Sequence, residues 1–343
     1  MAIEVDLYSD TVTRPTPAMR RAMAEAEVGD EQLFEDPTVR RLQDRVAELL
    51  GKDAALFLPS GTMANQISIR AHTRPGDELI AHRTAHPIHF ESGGIAGNAG
   101  VQVRPVDGPR GQYDAAAAEA AVRADWREMP RSRLLWVEQT SNLGGGSIWP
   151  LQRIAEVTAV ARRHGLATHL DGARLLNAVV ASGVAANAWA APFDSVWIDF
   201  TKGLGAPIGA CLAGSAAFIE DAWRFKQQMG GAMRQAGIVA AAGLYALDHH
   251  VDRLADDHAR ARRLAEAFAA LPGVSVHPAA VDTNIVLIEL TGTFGADEAT
   301  ARFAERGVRL SSFGLSTLRA VTHLDVDDTG IDRAIEAARA IFG

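Results

Sequence analysis

Phe193-Asp194-Ser195-Val196-Trp197-Ile198-Asp199-Phe200-Thr201-Lys202-Gly203-Leu204-Gly205-Ala206-Pro207-Ile208-Gly209 is the segment that decides the architecture. Val196 to Phe200 is a short apolar run of strand-forming residues, and it ends in a loop of three glycines and a proline where neither strand nor helix continues. That loop delivers one lysine, Lys202, from the end of a buried strand. A primary amine held there, beside the Thr201 hydroxyl and glycines that let backbone approach a ligand, suits a Schiff-base lysine; a solvated loop lysine is the plain alternative.

Upstream, His169-Leu170-Asp171-Gly172-Ala173-Arg174 follows the run Gly165 to Thr168 and puts an acid at the carboxyl end of another strand. A buried acid so placed is what a pyridoxal phosphate enzyme needs to keep the pyridine nitrogen protonated. Further strands are expected at Ala54 to Leu58, Glu78 to Ala81 and Arg133 to Glu138, with a returning strand at Gly209 to Gly214. Helices are expected between them, among them Leu151 to His164, Ser215 to Gln228 and one opened by Gly230 and running through Leu247. Such alternation predicts a mostly parallel sheet covered on both faces, with function at the carboxyl ends of its strands. Gly61, His86, Asp171 and Lys202 all fall at such ends. From about His250 the pattern changes to a long charged helix and mixed short elements, so we expect an N-terminal segment (1–15), a large domain (16–250) and a small C-terminal α/β domain (251–343).

Together, Pro59-Ser60-Gly61-Thr62-Met63-Ala64-Asn65, the segment around Asp171, the Lys202 loop and Gly230-Gly231-Ala232-Met233-Arg234-Gln235 resemble the pyridoxal-dependent L-threonine aldolases, over nearly the whole chain. The resemblance implies a pyridoxal phosphate fold of type I, with a seven-stranded, mostly parallel sheet, and retro-aldol cleavage of an L-β-hydroxy-α-amino acid to glycine and an aldehyde. It implies Lys202 as the cofactor lysine, Asp171 at the ring nitrogen and His86 stacked on the ring. Gly61 and Thr62, with Arg234 from a neighbouring subunit, would hold the phosphate; Ser9, Arg174 and Arg319 would orient the substrate carboxylate. Shared sites imply a homodimer or homotetramer. A β-eliminating lyase or an aldehyde-transferring enzyme is the alternative on the same fold. A binding module without chemistry would have no use for both Lys202 and Asp171.

The chain departs from the family pattern at several places. Leu33 and Phe34 stand for a tyrosine and a glycine, Glu128 and Ser141 for two substrate-side histidines, Tyr8 for an arginine and Gln227 for a lysine. The hydroxyl base is therefore open between Glu128, His86 through a water, and water alone. Leu33 and Phe34 are expected to add apolar wall and to favour larger side chains than that of threonine.

With 343 residues, 48% of them apolar, the chain has ample core, and a net charge of −8 with both signs dispersed argues against nucleic-acid or anionic-membrane surfaces. The single cysteine, Cys211, excludes an internal disulfide. His82, His86 and His89 lack a carboxylate or cysteine at metal-motif spacing, so no metal is expected. No signal-like run opens the chain, and we expect a cytoplasmic protein.

Overall fold

The computed structural model describes residues 2–292 and 294–343; Met1, the first residue of the expected N-terminal segment, and Thr293 lie outside them. The large sheet has seven strands, in spatial order Ala54–Leu58, Ala210–Gly214, Ser195–Asp199, Ala167–Gly172, Ser132–Glu138, Glu78–His82 and Gln102–Val106. Ala210–Gly214 is antiparallel to both its neighbours, and every other pairing is parallel.

Strands covered on both faces read as continuous apolar runs, and all five residues of Ser195–Asp199 are buried. Side chains still alternate. Val196 and Ile198 join a core on one face with Leu42 and Phe200, while Trp197 joins Leu56, Ile67 and Leu212 on the other. Helix Pro37–Leu50 lies on the first face. Its ends follow from sequence: Asp36 accepts from Thr38 and Val39 at 3.1 and 3.0 Å, Pro37 needs no donor in the first turn, and Gly51 closes it at φ 62°.

One expected helix begins late, at Gly237 instead of Gly230. In the intervening loop Met233 N donates to Glu31 Oε2 at 2.8 Å, and Arg234 O accepts from Glu31 N at 2.9 Å as well as from Ala236 N at 2.9 Å, so another segment holds this backbone in a turn instead of a helix. Lys226, wholly buried, closes an ion pair with the same Glu31.

A second sheet, Ser311–Ser312, Thr317–Val321, Ile285–Leu290 and Val274–Val276, is entirely antiparallel, and with helices Leu254–Ala269, Ala296–Ala304 and Asp328–Phe342 it builds its own core around Phe268, Ile288 and Phe303. Periodicity missed the strand Val5–Asp6, which is only two residues long; it pairs in parallel with Val308–Arg309 and draws Leu7 into that core. Among the described residues no helix is long and apolar enough to cross a membrane.

Candidate active site

The carboxyl ends of four parallel strands and the loop after Asp199 converge on two cavities, of about 390 and 690 Å³, that share Thr11, His86 and Lys202 in their walls. Ser195–Asp199 ends three residues before Lys202, and Lys202 Nζ forms an ion pair with Asp199, a mostly buried residue at the strand's last position. Asp199 Oδ1 also accepts from Thr201 N and Oγ1 at 2.8 and 2.7 Å. Thr13 Oγ1 donates to Lys202 O at 2.9 Å, which ties the N-terminal segment to the loop.

Asp171 borders the smaller cavity and is 1% exposed. Its oxygens accept from Ala173 N at 3.1 Å and Asn65 Nδ2 at 3.0 Å. Burial, then the nearby Glu138 charge, push its carboxyl up to about 7, against the opposing pull of His86 and Lys202. An acid so placed favours a cation beside it.

The same cavity is floored by Ser60, Gly61 and Thr62 at the start of helix Gly61–His72, where Ser60 Oγ caps Met63 N at 3.2 Å. A Cβ on Gly61 would run into the Trp197 ring, so only glycine lets this turn sit so close to the strand. Free N–H groups and the helix dipole make this end suited to a phosphate.

The larger cavity is bordered by Ser9, Arg174 and Arg319. Arg174 is forked onto Asp10, and Asn284 Nδ2 donates to the same carboxylate at 3.0 Å. Arg319 Nη1 donates to Asn142 Oδ1 at 2.8 Å, whereas its Nε is buried without a partner among the described residues. Burial, then repulsion from Arg174, lower Arg319 to about 10; an anion between the two arginines would offset both by its opposite charge. His86 is bracketed by two carboxylates: Glu91 Oε1 lies 2.8 Å from Nδ1, and Glu138 Oε2 accepts from the backbone N–H at 2.8 Å.

Lys202, Asp171, His86, Gly61, Thr62, Thr201, Ser9, Arg174 and Arg319 are thus brought together. Glu128 is not. It lies exposed on the loop before Ser132–Glu138, at the opposite end of that strand from the cavities, and the reading of Glu128 as base within one chain is corrected accordingly. Leu33 and Phe34, 64% and 59% exposed, line neither cavity, so they supply no wall to their own chain's site. Ser141 is buried beside Gly111 and Gly144, outside both cavities. Arg234 is exposed, its Nη1 2.9 Å from Asp30 Oδ2. Sequence reading missed Asp10, Asn65, Glu138, Asn142, Asp199 and Asn284. Of these, Asn65 and Asp199 stood inside recognised motifs, and Glu138 at the end of an expected strand.

The beta-eliminating lyase family model matches residues 6–291. The chain is 40% identical to low-specificity L-threonine aldolase 1 of Arabidopsis thaliana, covering 95% of this chain and 93% of that protein. It is likewise 40% identical to the low specificity L-threonine aldolase of Escherichia coli K12, covering 94% of each. The solved structure of Leishmania major threonine aldolase superposes with a TM-score of 0.82 at 22% identity, over 98% of this chain and 99% of that one, and shares the fold. By its match along nearly the whole length of these relatives, the protein belongs to the beta-eliminating lyase family and, within it, to the low-specificity L-threonine aldolases.

Proposed function

We propose that the protein cleaves the Cα–Cβ bond of an L-β-hydroxy-α-amino acid such as threonine or allo-threonine, releasing glycine and an aldehyde, with pyridoxal 5'-phosphate as cofactor. The observation that carries this reading is the meeting of two joined cavities at Lys202 and His86, one ending on Asp171 and the start of a helix, the other on two arginines. Asp171, raised by burial, and the Gly61 turn, closed to any Cβ, support the fit of this cofactor to the smaller cavity.

When bound, pyridoxal phosphate supplies a sink for the electron pair of the breaking bond. Lys202 anchors it, Asp171 holds the ring charge, and Gly61 and Thr62 hold the phosphate. Arg174, Arg319 and Ser9 bind the substrate carboxylate, which leaves the β-hydroxyl to be reached from His86. His86 takes the hydroxyl proton, directly or through a water, since Glu128 is absent from the chain's own site. Arg234 is assigned to the neighbouring subunit's phosphate, in a homodimer or homotetramer.

The test is a product assay of the purified protein with L-threonine, L-allo-threonine and L-phenylserine, alongside Lys202→Ala. Glycine and the matching aldehyde are expected, with loss of the cofactor's visible band and of borohydride labelling in the variant. The 2-oxo acid of the same carbon skeleton with ammonia (2-oxobutyrate from either threonine, phenylpyruvate from phenylserine) in place of glycine would establish β-elimination instead.

A further inference from the structure

Glu91 has no part in the reading above, yet its side chain is wholly shielded from solvent beside the catalytic cavities and both its oxygens are engaged. Oε1 accepts from Asn65 Nδ2 at 2.6 Å and faces His86 Nδ1 at 2.8 Å, while Oε2 accepts from Gln66 Nε2 at 2.6 Å. Gln66 is itself fixed, its Oε1 accepting from Asn98 at 3.1 Å. Asn65 turns its amide to Asp171 as well, at 3.0 Å. An ionised carboxylate only accepts, so the imidazole nitrogen facing it carries a hydrogen. In the neutral ring that leaves the Nε2 lone pair, and His86, with a third of its side chain exposed, lines both cavities.

We propose that Glu91 is a positioning residue for retro-aldol cleavage: it fixes the tautomer and ring of His86, so that Nε2 receives the β-hydroxyl proton, and through Asn65 it holds the Asp171 carboxylate. The proposal rests on the aldolase reading of the site. In the step itself the hydroxyl proton passes to Nε2, the O–H electron pair becomes part of the aldehyde C=O, and the Cα–Cβ pair remains with the carbon that becomes glycine.

Other charges face this ring. Glu138 meets the His86 backbone, Asp171 lies across Asn65, Lys202 borders both cavities, and Arg174 and Arg319 border the larger one. Burial alone would lower the imidazole, but the Glu91 hydrogen bond together with Asp171, Glu91 and Glu138 outweighs it, and His86 is raised above its ordinary value. A base with a raised pKa is neutral only above that pKa. Removing the Glu91 charge therefore lowers it and moves the acid limb of the rate profile to lower pH.

The experiment compares wild-type holoenzyme with Glu91→Gln and Glu91→Ala. Hydrogen–deuterium exchange at the imidazole C2 carbon, followed by mass spectrometry across pH, reads the His86 titration independently of turnover. Glu91→Gln, which keeps an acceptor toward Nδ1, is expected to lower the His86 midpoint by about one unit or more and to move the acid limb of kcat/KM by the same amount. Glu91→Ala, which frees the ring, is expected to cost tenfold or more in kcat with a smaller change in KM; if it fails to fold, Glu91→Gln alone decides. An unchanged midpoint in Glu91→Gln overturns the proposal, and so does a midpoint that moves while the acid limb stays in place. A wild-type enzyme that releases no glycine and aldehyde overturns the aldolase reading and this proposal with it, whatever the midpoint does.

Discussion

Arg174 meets Asp10 edge-on, Nε to Oδ2 and Nη2 to Oδ1, each at 2.7 Å, and neither side chain is more than 5% exposed. The planar fork of the guanidinium matches a carboxylate in this way and a lysine could not. Asp10 sits in the N-terminal segment, Arg174 follows a strand of the large sheet, and Asn284 brings the C-terminal sheet to the same carboxylate. One acid therefore joins three parts of the chain while it aims an arginine at the larger cavity.

Asp10→Asn is expected to destabilise the protein by roughly 3–5 kcal/mol, because a buried guanidinium is left without its counter-charge. Burial would raise the Asp10 carboxyl, but Arg174 outweighs it and holds the acid well below its ordinary 3.8. With the folded value depressed, the contribution is fully present above the unfolded pKa and is lost as pH falls through the folded one. Urea midpoints at pH 7 check the magnitude; a loss under 1 kcal/mol would show the pair to be dispensable for folding.

Gly61→Ala tests the phosphate turn. On an exposed helix this change gains up to about 1 kcal/mol, but here the Trp197 ring occupies the position of the new methyl group. We expect a folded protein whose cofactor affinity falls tenfold or more, measured by titrating cofactor-free protein and following absorbance. Unaltered affinity would remove Gly61 from the phosphate site.

Stability of the cofactor-free protein should depend on Asp171. An acid raised from 3.8 to about 7 in the fold contributes stability that is fully present below its unfolded pKa and lost as pH rises through the folded value. Between pH 4 and 8 the loss is of order 4 kcal/mol. Asp171→Asn should flatten this slope, and so should cofactor binding, by placing a cation at the carboxylate. Urea denaturation at pH 5 and pH 8 decides; an unchanged slope in the variant refutes the assignment.

Phe34 is exposed with its backbone at φ 58°, a conformation that costs a bulky residue energy, and its ring meets Trp223 edge-on at 5.8 Å. It neighbours Glu31, which holds the Arg234 loop. We expect this face to be covered by a second copy, so wild-type protein should sediment as a dimer or larger, and Phe34→Glu should weaken assembly and cofactor affinity together. A fully active monomer would refute shared sites.

The sequence alone determined what lies at each strand end. Apolar runs stopping at Pro59, His82, Asp171 and Lys202 mark where buried strands must turn, and glycine, acid or lysine at a turn carries its chemistry with it. It could not place residues whose roles depend on distant partners. Asp10 and Arg174 are 164 positions apart, and Asp10 and Asn284 are 274 apart, so nothing local marks Asp10 as the anchor of an arginine. Glu91 reads as one more acid until the fold sets Asn65, Gln66 and His86 around it. Glu128 stood where a substrate-side histidine was expected, yet the strand that follows carries the chain the length of the sheet before it reaches the site. Hydrophobic periodicity determines which segments are buried strands and helices because it is a local property. Which side chains share a cavity is decided only when the sheet order is set and two separately cored parts close on each other.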